Sequence, residues 1–113
     1  REQRVVATIA MSASLSDVID KRGYNQIGIE MPSAWTTAGI TFAGCSSVGG
    51  TFTPVYAEDG IELSISASTS RIITLGINNS ALASVPFIKI RSGSVGTPVS
   101  QSIARSLNVL LAR

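Results

Sequence analysis

Apolar and polar residues alternate along most of this chain, in runs too short for amphipathic helices. Ile27, Ile29 and Met31 alternate with Gly28 and Glu30, which predicts a strand with one apolar face. Pro32 has no N–H to donate and ends that ladder. Residues 33–38 form a short connection that carries the only tryptophan, Trp35. Ile40 and Phe42, alternating with Thr41 and Ala43, then predict a second strand over 39–45. A strand, a Pro-Trp corner and a second strand organise the chain.

The same pattern recurs on both sides of this unit. Residues 4–11 predict a strand with Val5, Ala7, Ile9 and Met11 on one face. Leu15, Val18 and Ile19 lead into Asp20-Lys21-Arg22-Gly23, a charged turn signal closed by glycine. A short helix over 15–21 competes there with a short strand entering the turn, and the strand is the preferred reading. Gly49-Gly50 is a hairpin-competent pair. Residues 51–56 read as a strand, with Phe52 and Tyr56 on one face, that Pro54 confines to an edge or a bulge. Glu58-Asp59-Gly60 is the next turn, and Ile61, Leu63 and Ile65 alternate with polar neighbours as a half-buried strand. Residues 71–75, 85–92 and 100–111 predict three more strands, the last with Ile103, Leu107, Val109 and Leu111 in phase. Residues 76–84 read as an irregular crossing with room for one helical turn. Turn signals every ~8–12 residues are the spacing of a sandwich or barrel. The prediction is an all-β fold: a single-domain antiparallel β-sandwich over 1–113, jelly-roll-like, of about eight short strands. Its core is expected to contain Ile27, Ile29, Ile40, Phe42, Ile61, Leu63, Ile65, Phe87, Ile90 and Leu107.

Composition narrows the function. A chain of 113 residues can bury a core without staples. Charged residues are only 14%, against roughly 25% in an average domain, which suits a protein that covers much of itself with neighbours. The net charge of +2 comes from basic residues in no run longer than two, which argues against a nucleic-acid partner. No apolar run approaches the ~20 residues needed to span a bilayer, no leader pattern is written in the sequence, and no membrane partner is expected. A single cysteine, Cys45, excludes an intrachain disulfide. The absence of histidine removes the usual zinc sites, the Ser-His-Asp and Cys-His triads and the commonest general base.

The remaining chemistry is sparse. Asp17, Asp20, Glu30, Glu58, Asp59 and Glu62 are the carboxylates that could pair across a cleft. Glu58 and Asp59 beside Gly60 fit a turn; with backbone carbonyls they could also hold calcium, though the dense acidic spacing of a strong site is missing. Cys45 reads as a buried structural thiol. Gly49-Gly50 precedes a strand rather than a helix and is no phosphate loop. Trp35, Tyr24 and Tyr56 could form a sugar-stacking platform, while a Trp in a Pro-Trp corner also serves as a hydrophobic plug at one end of a sandwich. No metal, no cofactor and no enzymatic activity are expected.

Four phrases in order carry a resemblance. They are L-S-D-V-I-D-K-R-G-Y-N-Q-I-G-I-E-M-P-S-A-W-T-T-A-G-I-T-F, G-G-T-F-T-P-V-Y-A-E-D-G, F-I-K-I-R-S-G-S-V-G-T-P-V-S-Q and A-R-S-L-N-V. Together they span most of 15–109 and resemble small virion structural proteins of tailed bacteriophages, which share I-x-M-P-x-x-W-T-x-A-x-I-T-F and a later K-x-R-S-G-T. Ser94 stands where that pattern has Thr, and Cys45 where members carry a non-thiol residue. The resemblance implies a non-enzymatic virion component, most simply a capsid decoration (cement) protein. It would be assembled in the host cytoplasm and bind the major capsid protein or other virion proteins. Small jelly-roll proteins of this kind often act as trimers, so a homotrimer is the expected oligomer. The alternative is a carbohydrate-binding or fibre- and tail-associated sandwich module.

The chain ends are the expected contacts. Arg1 and Arg4 precede an apolar strand, and Arg113 follows Val109-Leu110-Leu111, a run apolar on both faces. A half-exposed strand should alternate, so Leu110 calls either for a second covering layer or for a local loop that it packs under. Arg1, Arg4, Leu110 and Arg113 are the candidate interface residues.

Overall fold

A computed structural model describes residues 2–75 and 82–113. Nine strands are formed among them: β1 (Glu2–Ile9), β2 (Ile19–Asp20), β3 (Gln26–Glu30), β4 (Ile40–Cys45), β5 (Thr53–Pro54), β6 (Ser64–Ile65), β7 (Ile72–Thr74), β8 (Phe87–Ser92) and β9 (Arg105–Ala112). They make two antiparallel sheets. Sheet I has the order β1-β9-β3-β7, and sheet II the order β2-β8-β4-β5, with β6 also on β4. Strands β5 and β6 both pair with β4, at Ala43–Gly44 and at Ile40–Thr41. They are two pieces of one edge, interrupted by an excursion over 56–62. Counted that way there are eight strand positions, and the chain crosses between the sheets in jelly-roll order.

Alternation builds the core. The inward residues of sheet I are Ala7 and Ile9 on β1, Ile27 and Ile29 on β3, and Leu107, Val109 and Leu111 on β9. They face Ile19, Ile40, Phe42, Ile88 and Ile90 of sheet II. Trp35 is 9% exposed and closes one end, its indole N–H donating to the Ala38 carbonyl (3.1 Å). The corner therefore acts as the plug that its sequence suggested.

Several expectations are corrected. Ile61 is 68% exposed and Ile65 only half-buried, while Leu63 is buried. The Glu58-Asp59-Gly60 turn folds 55–57 against 61–63 as a hairpin of its own, with the Ala57 N–H on the Ile61 carbonyl and Leu63 on Val55; only Leu63 then reaches the core. Met11 is exposed, because β1 ends at Ile9 and Ser12 turns the chain with φ 66°. Ile103 is also exposed, because β9 starts only at Arg105. Phe87 is buried, but on the outer side of sheet II, in register with Cys45. Strand β4 is buried at all six positions and does not alternate. It is the central strand of sheet II, and its small outer residues Thr41, Ala43 and Cys45 are roofed by longer side chains from β8 and the β5–β6 excursion. The crossing expected over 76–84 lies largely outside the described residues; Leu82 and Ala83, which follow the undescribed part, are helical.

Candidate functional site

The outer face of sheet I is read directly from the register. Arg4, Leu110, Gly28 and Thr74 lie in one row across the four strands. Val6, Asn108, Glu30 and Ile72 lie in the next. Val6 is 51% and Ile72 56% exposed, and Leu110 is half-buried. Gly28 contributes no side chain beside Leu110, and a shallow groove of about 640 Å³ runs past Arg4, Gly28, Thr74 and Leu110. The Asn108 amide donates to Glu30 Oε1 (2.9 Å), so that carboxylate is held in the face. No other layer of the described chain covers these rows.

The face continues into an open edge. The Thr8 N–H donates to Asp17 Oδ1 (3.0 Å) and its carbonyl accepts from the Asp17 N–H (3.2 Å). Thr8 therefore turns its backbone groups away from β9. In an antiparallel strand every second residue does the same, so the N–H and C=O groups of Glu2, Arg4 and Val6 point along the free edge of β1. Asp17 closes that edge only at its Thr8 end, and the open part is a template for strand addition.

Sheet II treats its outer face differently. Arg91 lies over Thr41 and pairs with Glu62 (3.4 Å), both side chains being mostly buried. Glu62 also accepts from the Val95 N–H (3.2 Å). Lys89 stacks over the Phe52 ring at 4.6 Å and Arg22 over Phe87 at 4.9 Å. Arg22 pairs with Asp20 (2.7 Å); its side-chain and backbone hydrogen bonds hold the Asp20 carboxyl below the usual range and raise Arg22.

The structure brings together some of the residues singled out from sequence and separates others. Arg4 and Leu110 are register partners on sheet I. Arg113 is exposed just beyond the end of β9, and Arg1 lies outside the described residues. The three aromatics do not meet. Trp35 sits at the Arg105 end of β9, where Thr36 contacts Gln101 and Arg105. Tyr24 is half-buried at the opposite, Ala112 end, beside the Asn25–Ala112 bond. Tyr56 lies on the β5–β6 excursion of the other sheet. Glu58 and Asp59 form the expected exposed turn, with Asp59 Oδ1 accepting from the Ile61 N–H (2.9 Å) and Gly60 at φ 87°. Cys45 is buried, its thiol on the Ser47 carbonyl. Among the described residues no three of His, Cys, Asp and Glu are grouped to hold a metal ion.

Two buried cations escaped sequence reasoning. Lys21 looks like part of a solvated turn, yet it is 2% exposed. Its ammonium donates to the Leu82 (2.8 Å) and Val85 (2.9 Å) carbonyls, and burial lowers its pKa. Arg105 points inward from the first position of β9 and is 7% exposed. Its Nε donates to Gln101 Oε1 (3.0 Å), and its Nη2 to Thr36 Oγ1 (3.2 Å) and Ser102 Oγ (3.3 Å). The only sequence signal for Arg105 is its phase: it is the charged member of the series Leu107, Val109, Leu111. Lys21 is two residues past the inward Ile19 and so in phase with the core, but the charged turn Asp20-Lys21-Arg22-Gly23 hides that signal.

The chain matches no protein-family model, and no curated protein matches it. Among solved structures it is similar in fold to the SPBc2 prophage-derived protein YomS, with a TM-score of 0.58 at 12% identity, over 98% of this chain and 94% of that one.

Proposed function

We propose that this chain is a non-enzymatic structural protein of a tailed-bacteriophage virion. It decorates the capsid as a homotrimer and stabilises the head by docking on coat subunits. The observation that carries this reading is the outer face of sheet I, an open sheet face with exposed Val6 and Ile72, half-buried Leu110 and an adjoining free strand edge. Exposed apolar side chains on an open sheet face beside a free strand edge fit an interaction surface. The prophage origin of a protein with the same fold along nearly its whole length supports the phage setting, as do the sequence phrases shared with small virion proteins. The non-enzymatic part rests on the sequence, which has no histidine and one buried cysteine. The mechanism is linkage: a protein that binds only the assembled lattice stabilises it by its binding free energy. The placement of Trp35, Tyr24 and Tyr56 lends nothing to a sugar-stacking module.

Mass spectrometry and labelled-antibody imaging of purified particles test the reading. The expected result is a fixed, high copy number on the head, with heads that lack the protein losing stability. Absence from the particle would overturn it.

A further inference from the structure

The corner beside Trp35 holds a hydrogen-bond network that runs short of acceptors. The Gln101 amide is complete. Its oxygen accepts from the Thr36 N–H and Arg105 Nε, and its nitrogen donates to the Thr36 carbonyl and Ser92 Oγ. Thr36 Oγ1 accepts from the Ser102 N–H and from Arg105 Nη2. Both of its lone pairs are then used, so its own proton is donated, and the Ser102 hydroxyl at 3.3 Å receives it. Ser102 Oγ also accepts from Arg105 Nη2, which leaves its own proton without an acceptor inside the network. Arg105 Nη1 has no partner among the described residues. It is not sealed in, since among the described residues no buried side-chain nitrogen or oxygen lacks a bond. Two donors are thus left open: Arg105 Nη1, and the hydroxyl of Ser102, which is exposed and lies 3.3 Å from Nη2 of the same guanidinium.

The charge is as unbalanced as the protons. Buried charges are ordinarily paired. The described ion pairs join Arg22 to Asp20 and Arg91 to Glu62, and none reaches Arg105. Residue 1 and residues 76–81 include no Asp or Glu, so no side-chain carboxylate of this chain pairs with that guanidinium.

We propose that the Thr36–Ser102–Arg105 corner is an oxyanion-binding site, taking a carboxylate with one oxygen on Arg105 Nη1 and the other on the Ser102 hydroxyl. A guanidinium edge beside a hydroxyl suits a small planar anion, supplied free in solution or by an acidic side chain of a docked protein. The site does not depend on what the outer face of sheet I binds.

The test uses the full chain alone. Sodium acetate is titrated against it at constant ionic strength, with chloride as the balancing anion and the amide and arginine Nε–H signals followed by NMR. The expected result is a saturable shift confined to Thr36, Ser102 and Arg105. It should be about tenfold weaker in Ser102→Ala, which removes one charge-assisted bond, and absent in Arg105→Gln. Should Arg105→Gln fail to fold, Ser102→Ala, at an exposed position, still decides. No saturable shift, or one undiminished in Ser102→Ala, overturns the proposal. Once acetate binds, the docking of Ser102→Ala to phage heads separates the sources. Weakened docking assigns the site to a partner's carboxylate, and unchanged docking assigns it to a free anion.

Discussion

The two sheets share one core and turn very different faces outward. Sheet II spends its outer charges on itself: Arg91 on Glu62, Arg22 on Asp20 and Phe87, and Lys89 on Phe52. Sheet I leaves Val6 and Ile72 in solvent, with Leu110 half-covered between Arg4 and Gly28. Both sheets alternate inward and outward residues, so alternation alone cannot say which face is finished. Side-chain length decides it. Sheet II places long cations beside small residues such as Thr41 and Ala43, and the cations lie down over them. Sheet I puts a leucine beside a glycine and leaves it only half-covered.

The largest expected effect tests the premise that the faces share a core. Phe42→Ala should cost about 3–5 kcal/mol in chemical denaturation, with fluorescence and circular dichroism transitions that coincide. Separate transitions for the two sheets would mean that they are not one cooperative unit.

Lys21 comes next, because it binds sheet II to the chain ahead of β8. Lys21→Met leaves the Leu82 and Val85 carbonyls without their donor and should cost about 2–3 kcal/mol. The parent should also show a pH dependence that the variant lacks. The folded pKa of Lys21 lies below its unfolded value. Between the two the unfolded chain holds more protons, so stability rises with pH up to the ordinary lysine value near ~10.4. A neutral amine keeps two N–H donors for the two carbonyls, which allows the bonds to survive deprotonation. A flat difference between parent and variant over that window would contradict this account.

The expectations from sequence succeeded where a single strand's period carried the information. Ile27, Ile29, Ile40, Phe42, Leu63, Ile90 and Leu107 are buried as expected, and Pro54 marks an edge. They failed where a residue's fate depends on a distant partner. Ile61 has the phase of a core residue but rides on a local hairpin. Lys21 has the look of a surface turn, but carbonyls more than 60 residues away hold it. Arg4 and Leu110 stood out in the sequence as candidate contacts because charge and unbroken apolar phase both show locally. That they share one row across the sheet follows only from the β1–β9 register. The corner network was not legible, since Thr36, Gln101 and Arg105 are ordinary residues until the fold joins them.

Smaller effects sharpen the contrast between faces. Glu62→Ala removes the partner of Arg91 and the acceptor of the Val95 N–H, and should cost about 1–2 kcal/mol in thermal denaturation. Asp20 should matter least. Its folded pKa is depressed, so its contribution is present above the usual carboxylate range and lost as pH falls through the folded value. The pair is solvent-exposed, and Asp20→Asn should change stability by no more than about 0.5 kcal/mol at neutral pH. A larger loss would mean that sheet II depends on its rim charges more than their exposure allows.

Docking to phage heads prepared without the protein tests the central claim most directly. Val6→Asp and Leu110→Arg would be compared with Glu62→Ala and the parent by co-sedimentation, each first shown to be folded. The account predicts that the two sheet I variants lose docking by at least about tenfold, the equivalent of ~1.4 kcal/mol, while Glu62→Ala docks like the parent. Full docking by Val6→Asp and Leu110→Arg, or loss of docking confined to Glu62→Ala, would contradict it.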